Sequence, residues 1–137
     1  MIEPGARRLV RLSLLEAPTD RERVWRVAFR PMVGETSAEG SALKVLVAYN
    51  ILVIALPPAP RAEVAARRNG RTLFLENHGN SNALLFDGRQ CDAAGGNCRE
   101  LPSRRLYAGN DWRLELPYDT PAEWRVEVAG KILNNRY

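Results

Sequence analysis

At 137 residues, 45% hydrophobic and 26% charged, the chain has the balance of a folded protein with room for one domain or two small ones, not that of a disordered or fibrous chain. Its formal net charge of +4 comes from 20 basic residues spread along the sequence, which argues against a concentrated nucleic-acid surface. No apolar run reaches the roughly 18 residues of a membrane-spanning helix, and no apolar core of a secretory signal follows the opening MIEPGARR.

Short β-type runs separated by turn signals recur throughout. RLVRLSLL alternates apolar and polar residues from Leu9 to Leu14, and VWRVAFRP does so from Val24 to Phe29 before a proline closes it. After the polar loop GETSAEGSA comes LKVLVAYNILVIAL, residues 43–56, the most apolar run of the chain. Its first half alternates, whereas Ile51 to Leu56 is apolar on both faces, the mark of a strand covered on both sides. Ile51 to Ile54 are therefore expected to be held in the protein's own structure. PPAPR then reads as a break between domains.

Beyond that break, AEVAARRNG reads as a strand entering a turn at Asn69-Gly70. RTLFLENHGNSNALLFDGRQC, CRELPSRRLYAGNDWRLELP and AEWRVEVAGKI supply further short strands punctuated by Gly, Asn, Asp and Pro. No helical period is sustained. The predicted class is all-β, with a sandwich-like arrangement.

Catalytic constellations are missing from the sequence. The single histidine, His78, lies in ENHGNSN and reads as a turn residue, with no second His beside it for a metal site. Ser81 in GNSNA does not fit a nucleophile elbow, and AGGN lacks the Lys and Ser/Thr of a phosphate loop. No enzyme, metal or cofactor is expected. Cys91 and Cys98 flank DAAGGN, a sequence suited to a hairpin tip that would bring the two sulfurs within bonding range. A disulfide and an oxidising compartment are the favoured reading, and a reduced pair the alternative. Trp112 and Trp124, in alternating runs, read as core or edge packing, and Gly109 as a turn residue needing backbone freedom.

IEPGARRLVRL, DRERVWRVAFRP, the long apolar strand ending in proline, then LFLENHGNSNALL, the C-x6-C hairpin and LYAGNDWRLELP together resemble, in this order, the periplasmic chaperones of the chaperone–usher pathway that assemble fimbriae and pili, in the branch of alternate chaperones. The resemblance implies two immunoglobulin-like domains and no cofactor. It implies binding of fimbrial or pilin subunits and of an outer-membrane usher, and a strand at the end of domain one that is lent to a subunit lacking one. On this reading residues 1–57 are the C-terminal part of domain one, its last three strands, with a donor strand at about 42–56, and residues 58–137 are a complete second β domain. Leu43, Val45, Val47 and Tyr49 share one face at the period of two that a donor needs, and are the expected subunit-binding residues.

The family's pattern is broken in places. A basic residue that would grip the subunit carboxylate late in the donor strand is replaced by Leu52. Glu22 matches an acidic residue of the inter-domain hinge, but its arginine partner is replaced by Leu56. Relative to the family the chain reads as truncated at its N-terminus, so exposed strands are expected to self-associate through residues 43–56. Arg104 and Arg105 are candidate contacts for an acidic usher surface, with plain solvation the simpler reading. The implied role is pilus assembly and cell wall organization in the periplasm. The competing reading is a stand-alone β-sandwich surface or adhesion module that self-associates through the same strand.

Overall fold

The computed structural model describes residues 7–32 and 45–137. Its ten strands, all paired antiparallel, are β1 (Arg23–Phe29), β2 (Tyr49–Ala55), β3 (Val64–Asn69), β4 (Thr72–Asn77), β5 (Ala83–Gln90), β6 (Arg99–Leu101), β7 (Arg104–Leu106), β8 (Asp111–Glu115), β9 (Glu123–Val128) and β10 (Lys131–Arg136). The described residues contain no helix, and the all-β immunoglobulin-like class expected from the sequence is what forms.

From residue 64 onward, two sheets make a sandwich. One is ordered β10-β9-β5-β6, with β7 also pairing β5, and the other is β3-β4-β8. Alternation explains which residues meet between them: in β4, in β8 and in β9 as far as Val126, every second side chain is buried and those between are exposed or half-buried. Leu73 and Leu75 of β4 and Trp112 and Leu114 of β8 enter one cluster with Leu85, Leu106, Trp124 and Val126 from the other sheet. The two indoles meet edge to face with centroids 6.1 Å apart, an arrangement that aromatic quadrupoles favour. Trp124 also donates its Nε1–H to the Pro102 carbonyl at 3.2 Å, so its one polar atom is satisfied inside the core. Trp112 and Trp124 are core residues, as their alternating context indicated.

The β3–β4 turn is one residue later than expected. Asn69 pairs with Thr72, so Gly70 and Arg71 form the tip. Asn69 keeps a ladder position because Gly70, at φ +58°, supplies the backbone conformation that starts the reversal.

β1 and β2 form a separate two-stranded ladder running from Arg23↔Ala55 to Phe29↔Tyr49. The expectation of three strands before residue 57 needs correction. Residues 9–14 form no strand. An alternating run becomes a strand only beside a free edge, and Leu12 to Glu16 instead pass across the face of the β1–β2 ladder, lining a groove with Trp25, Val27, Val53 and Ala55 from both strands. Position over a face offers side-chain contact but no ladder of N–H and C=O partners. Leu9, Val10, Leu12, Leu14 and Leu15 consequently remain exposed.

Candidate functional site

The register of the β1–β2 ladder decides which side chains share a face. Directly opposed residues point the same way, so Arg23, Trp25, Val27 and Phe29 stand with Ala55, Val53, Ile51 and Tyr49, a face apolar but for Arg23, whose guanidinium lies over the Trp25 ring. The opposite face carries Val24, Arg26 and Ala28 with Asn50, Leu52 and Ile54, a mixed set. The apolar face is the one to which the period of two assigns Val45, Val47 and Tyr49. It is incompletely covered: Trp25 is 37%, Tyr49 63% and Ile51 46% exposed. A groove of about 600 Å³ runs along it.

Of the expected subunit-binding residues, Leu43 lies outside the described residues. Val45 and Val47 precede β2, are 76% and 61% exposed, and take part in no ladder pair. Tyr49 opens β2 opposite Phe29. The division of the run therefore falls between Ala48 and Tyr49, two residues earlier than the change of pattern at Ile51 suggested. Ladder pairing, which the side-chain pattern does not report, sets that point. Among the described residues the β2 edge away from β1 has no strand beside it, and an open edge is the feature by which β-strand addition proceeds. Leu52, where the resemblance would place a basic residue, sits directly opposite Arg26 of the neighbouring strand.

The mounting of this hairpin is built by ENHGNSN. Asn77 is fully buried. Its Nδ2 donates to the carbonyls of Ser81 at 2.8 Å and Leu106 at 3.0 Å, while its Oδ1 accepts from the N–H groups of Glu63 at 3.1 Å and Gly79 at 2.9 Å. One amide thus ties four backbone groups from three segments and satisfies itself entirely. Gly79 must lie against that junction, where a Cβ would stand 2.2 Å from the Arg61 carbonyl oxygen. Asn80 repeats the device one step outward: its Oδ1 accepts from Arg61 N–H at 2.7 Å, and its Nδ2 donates to the carbonyls of Asp20 at 2.9 Å and Ala59 at 3.1 Å.

Glu22, immediately before β1, completes the joint. Its carboxylate accepts from the Asn82 N–H at 2.8 Å, the Asn82 Nδ2 at 2.5 Å and the Ala108 N–H at 2.9 Å. The Glu22 N–H in turn donates to the Asn80 carbonyl at 2.8 Å. Arg21 donates to the Ala108 carbonyl and Arg105 to the Asn82 Oδ1. Leu56, where the resemblance would place a hinge arginine, is 40% exposed on a small cleft with Asn82 and Arg105. Glu22, which the resemblance would pair with that arginine, is held instead by two backbone N–H groups and the Asn82 side-chain amide. Gly109, at φ +73°, supplies a backbone conformation that other residues rarely adopt, and Arg21 Nη2 occupies the space where a Cβ would be.

Asn77, Asn80 and Asn82 were not read as functional from the sequence. Their signal was the density of asparagine around one glycine, a pattern that marks side chains bonding to nearby backbone. His78 is exposed, with Nε2 3.7 Å from Glu76, and Ser81 is buried beneath the joint. Among the described residues no group of three or more His, Cys, Asp and Glu is placed to hold a metal ion. Arg104 lies over the Trp112 ring at 5.6 Å, a packing role that leaves Arg105 to the joint.

Cys91 and Cys98 are disulfide-bonded across the β5–β6 hairpin. Within the loop, the Asp92 carboxylate accepts from Ala94 N–H at 3.0 Å, Gly96 N–H at 2.8 Å and Asn97 Nδ2 at 2.7 Å. The Asn97 amide and the Gly96 N–H hold its pKa below the ordinary value of 3.8.

No family model matches the chain, and neither a curated protein nor a solved structure matches it.

Proposed function

We propose that this chain is a binding protein that acts by donor-strand complementation, as a periplasmic chaperone for fimbrial or pilus subunits. The observation that carries the reading is the β1–β2 ladder: a largely apolar face, a β2 edge with no strand beside it among the described residues, and exposed Val45 and Val47 continuing the chain beyond the ladder. A β-sandwich that lacks one strand exposes a row of unpaired backbone groups and a slot in its core. Residues 45–49 offer both complements, main-chain N–H and C=O along a free edge and apolar side chains at every second position. No bond is made or broken, so no cofactor or nucleotide is called for.

The mounting supports the same reading. A lent strand must be presented at a defined angle, and the carboxylate of Glu22 with the amides of Asn80 and Asn82 fixes where β1 leaves the sandwich. Arg26, opposite Leu52, is the basic residue best placed to face a subunit's carboxylate. The disulfide supports an oxidising compartment.

Incubation of the chain with a pilin subunit lacking its last strand, followed by size-exclusion chromatography, tests this. A 1:1 complex is expected, lost in Val45→Asp and Val47→Asp. Unchanged capture by both variants overturns donor-strand binding. Self-association through the strand with no capture would favour the surface-module reading.

A further inference from the structure

The two sulfurs of the Cys91–Cys98 disulfide stand in unequal surroundings. They follow Gln90 and precede Arg99, the last paired residues of β5 and β6. The Arg89 guanidinium donates from Nη2 to Cys98 Sγ at 2.8 Å. A cleft of about 330 Å³ opens beside Cys91, walled by Arg89, Asp92, Thr120, Glu123 and Arg136, and Cys98 is not part of that wall. Both cysteines are half-buried, so solvent reaches the bond.

Thiol–disulfide exchange is directional whenever the two sulfurs differ as leaving groups. The one whose thiol has the lower pKa departs faster, and an adjacent guanidinium lowers a thiol's pKa by favouring the thiolate. We propose that the Cys91–Cys98 disulfide is a thiol-exchange site at which a small thiol entering the cleft attacks Cys91 Sγ and Cys98 leaves as a thiolate paired with Arg89. The entering thiol loses its proton to solvent and its sulfur bonds to Cys91 Sγ. The Cys91–Cys98 bond breaks with its electron pair retained on Cys98. A second molecule of the thiol attacks the mixed disulfide at the small-molecule sulfur, frees Cys91 and departs as the oxidised dimer of the thiol.

The loop is built to outlast the bond. The bonds of Asp92 to Ala94, Gly96 and Asn97 do not pass through either sulfur, and the Asp92 N–H donates to the Gly96 carbonyl at 2.9 Å. From outside the loop, Tyr118 Oη donates to the Asn97 carbonyl at 2.6 Å and Thr120 Oγ1 to the Cys91 carbonyl at 2.5 Å. Reduction therefore leaves two thiols held near each other and able to close again. This property is independent of what the β1–β2 hairpin binds.

The test treats the oxidised full chain with reduced glutathione, quenches with N-ethylmaleimide and maps both cysteines by peptide mass spectrometry. Glutathione on Cys91 with maleimide on Cys98 is expected to exceed the reverse by about tenfold. Arg89→Gln should bring the two products towards equality, while Arg89→Lys, which keeps the charge, should retain the bias; circular dichroism confirms that both fold. Equal labelling in the unaltered chain, glutathione mainly on Cys98, or a bias unchanged in Arg89→Gln overturns the proposal, as does a chain that glutathione fails to open under conditions that open a peptide of residues 89–99.

Discussion

Replacing Glu22 by alanine removes a carboxylate that joins the start of β1 to the sandwich. Three donors lose their acceptor, at 2.8 Å, 2.5 Å and 2.9 Å: the Asn82 N–H, the Asn82 Nδ2 and the Ala108 N–H. Asn82 and Ala108 are themselves 5% and 8% exposed, so their N–H groups have little water to turn to once the carboxylate is gone. A buried donor left unpaired costs about 1–3 kcal/mol, and two backbone donors therefore set a loss of roughly 2–6 kcal/mol. Position 22 is only half-buried, and water entering the vacated space satisfies part of this, so roughly 2–4 kcal/mol is expected. Urea unfolding followed by tryptophan fluorescence measures the loss, and amide hydrogen exchange locates it at residues 82 and 108. Glu22→Gln keeps the shape but turns an NH2 group towards a donor, so it should fall between the alanine variant and the original. A Glu22→Ala chain within about 0.5 kcal/mol of the original, with unchanged exchange at both amides, would refute the account of the joint.

Other outcomes follow from the same geometry. Asn77→Ala strands two N–H groups and two carbonyls around a fully buried site and is expected to cost about 3 kcal/mol or more, read as a fall in the urea midpoint. Leu75→Ala, at a fully buried core position, should cost about 2–5 kcal/mol, whereas Leu133→Ala, 62% exposed on β10, should stay within about 0.5 kcal/mol in the same assay. Burial raises the Tyr137 hydroxyl above its ordinary pKa of 10.0, against a smaller opposing effect of Asn135. The folded state thus prefers the neutral phenol, and this contribution is complete below pH 10.0 and lost as pH rises through the folded value, visible as a thermal midpoint that falls in that window. Asp92 has the opposite sign: its folded pKa lies below 3.8, so its contribution is present above that pH and lost as pH falls through the lowered value, and amide exchange in the 92–97 loop should accelerate there.

Much of the fold was legible because side-chain alternation is a local property. β4, β8 and β9 present apolar residues at a period of two, and Gly, Asn and Pro separate the strands. The Cys91–Cys98 bond was legible for the same reason, since the loop between the cysteines is short enough to close on itself. RLVRLSLL misled because alternation reports that one side of a segment is apolar and says nothing about whether a strand edge lies alongside. The turn at Gly70-Arg71 slipped by one residue because register belongs to the pair of strands and to neither sequence alone.

By itself, then, the sequence determined the all-β class, the core character of Trp112 and Trp124, and the apolar run at residues 43–56 with its alternating first half. Only the tertiary structure decided where that run divides, because the boundary at Tyr49 is the last residue that finds a partner, Phe29, on β1. It alone assigned Glu22 to the backbone of residues 82 and 108, which lie 60 and 86 positions away along the chain. It alone set Arg89 against one sulfur of the disulfide and not the other. Hydrophobic periodicity is written into neighbouring residues and can be read from them, whereas a hydrogen bond to a distant main-chain group leaves no trace in composition and exists only once the chain has closed upon it.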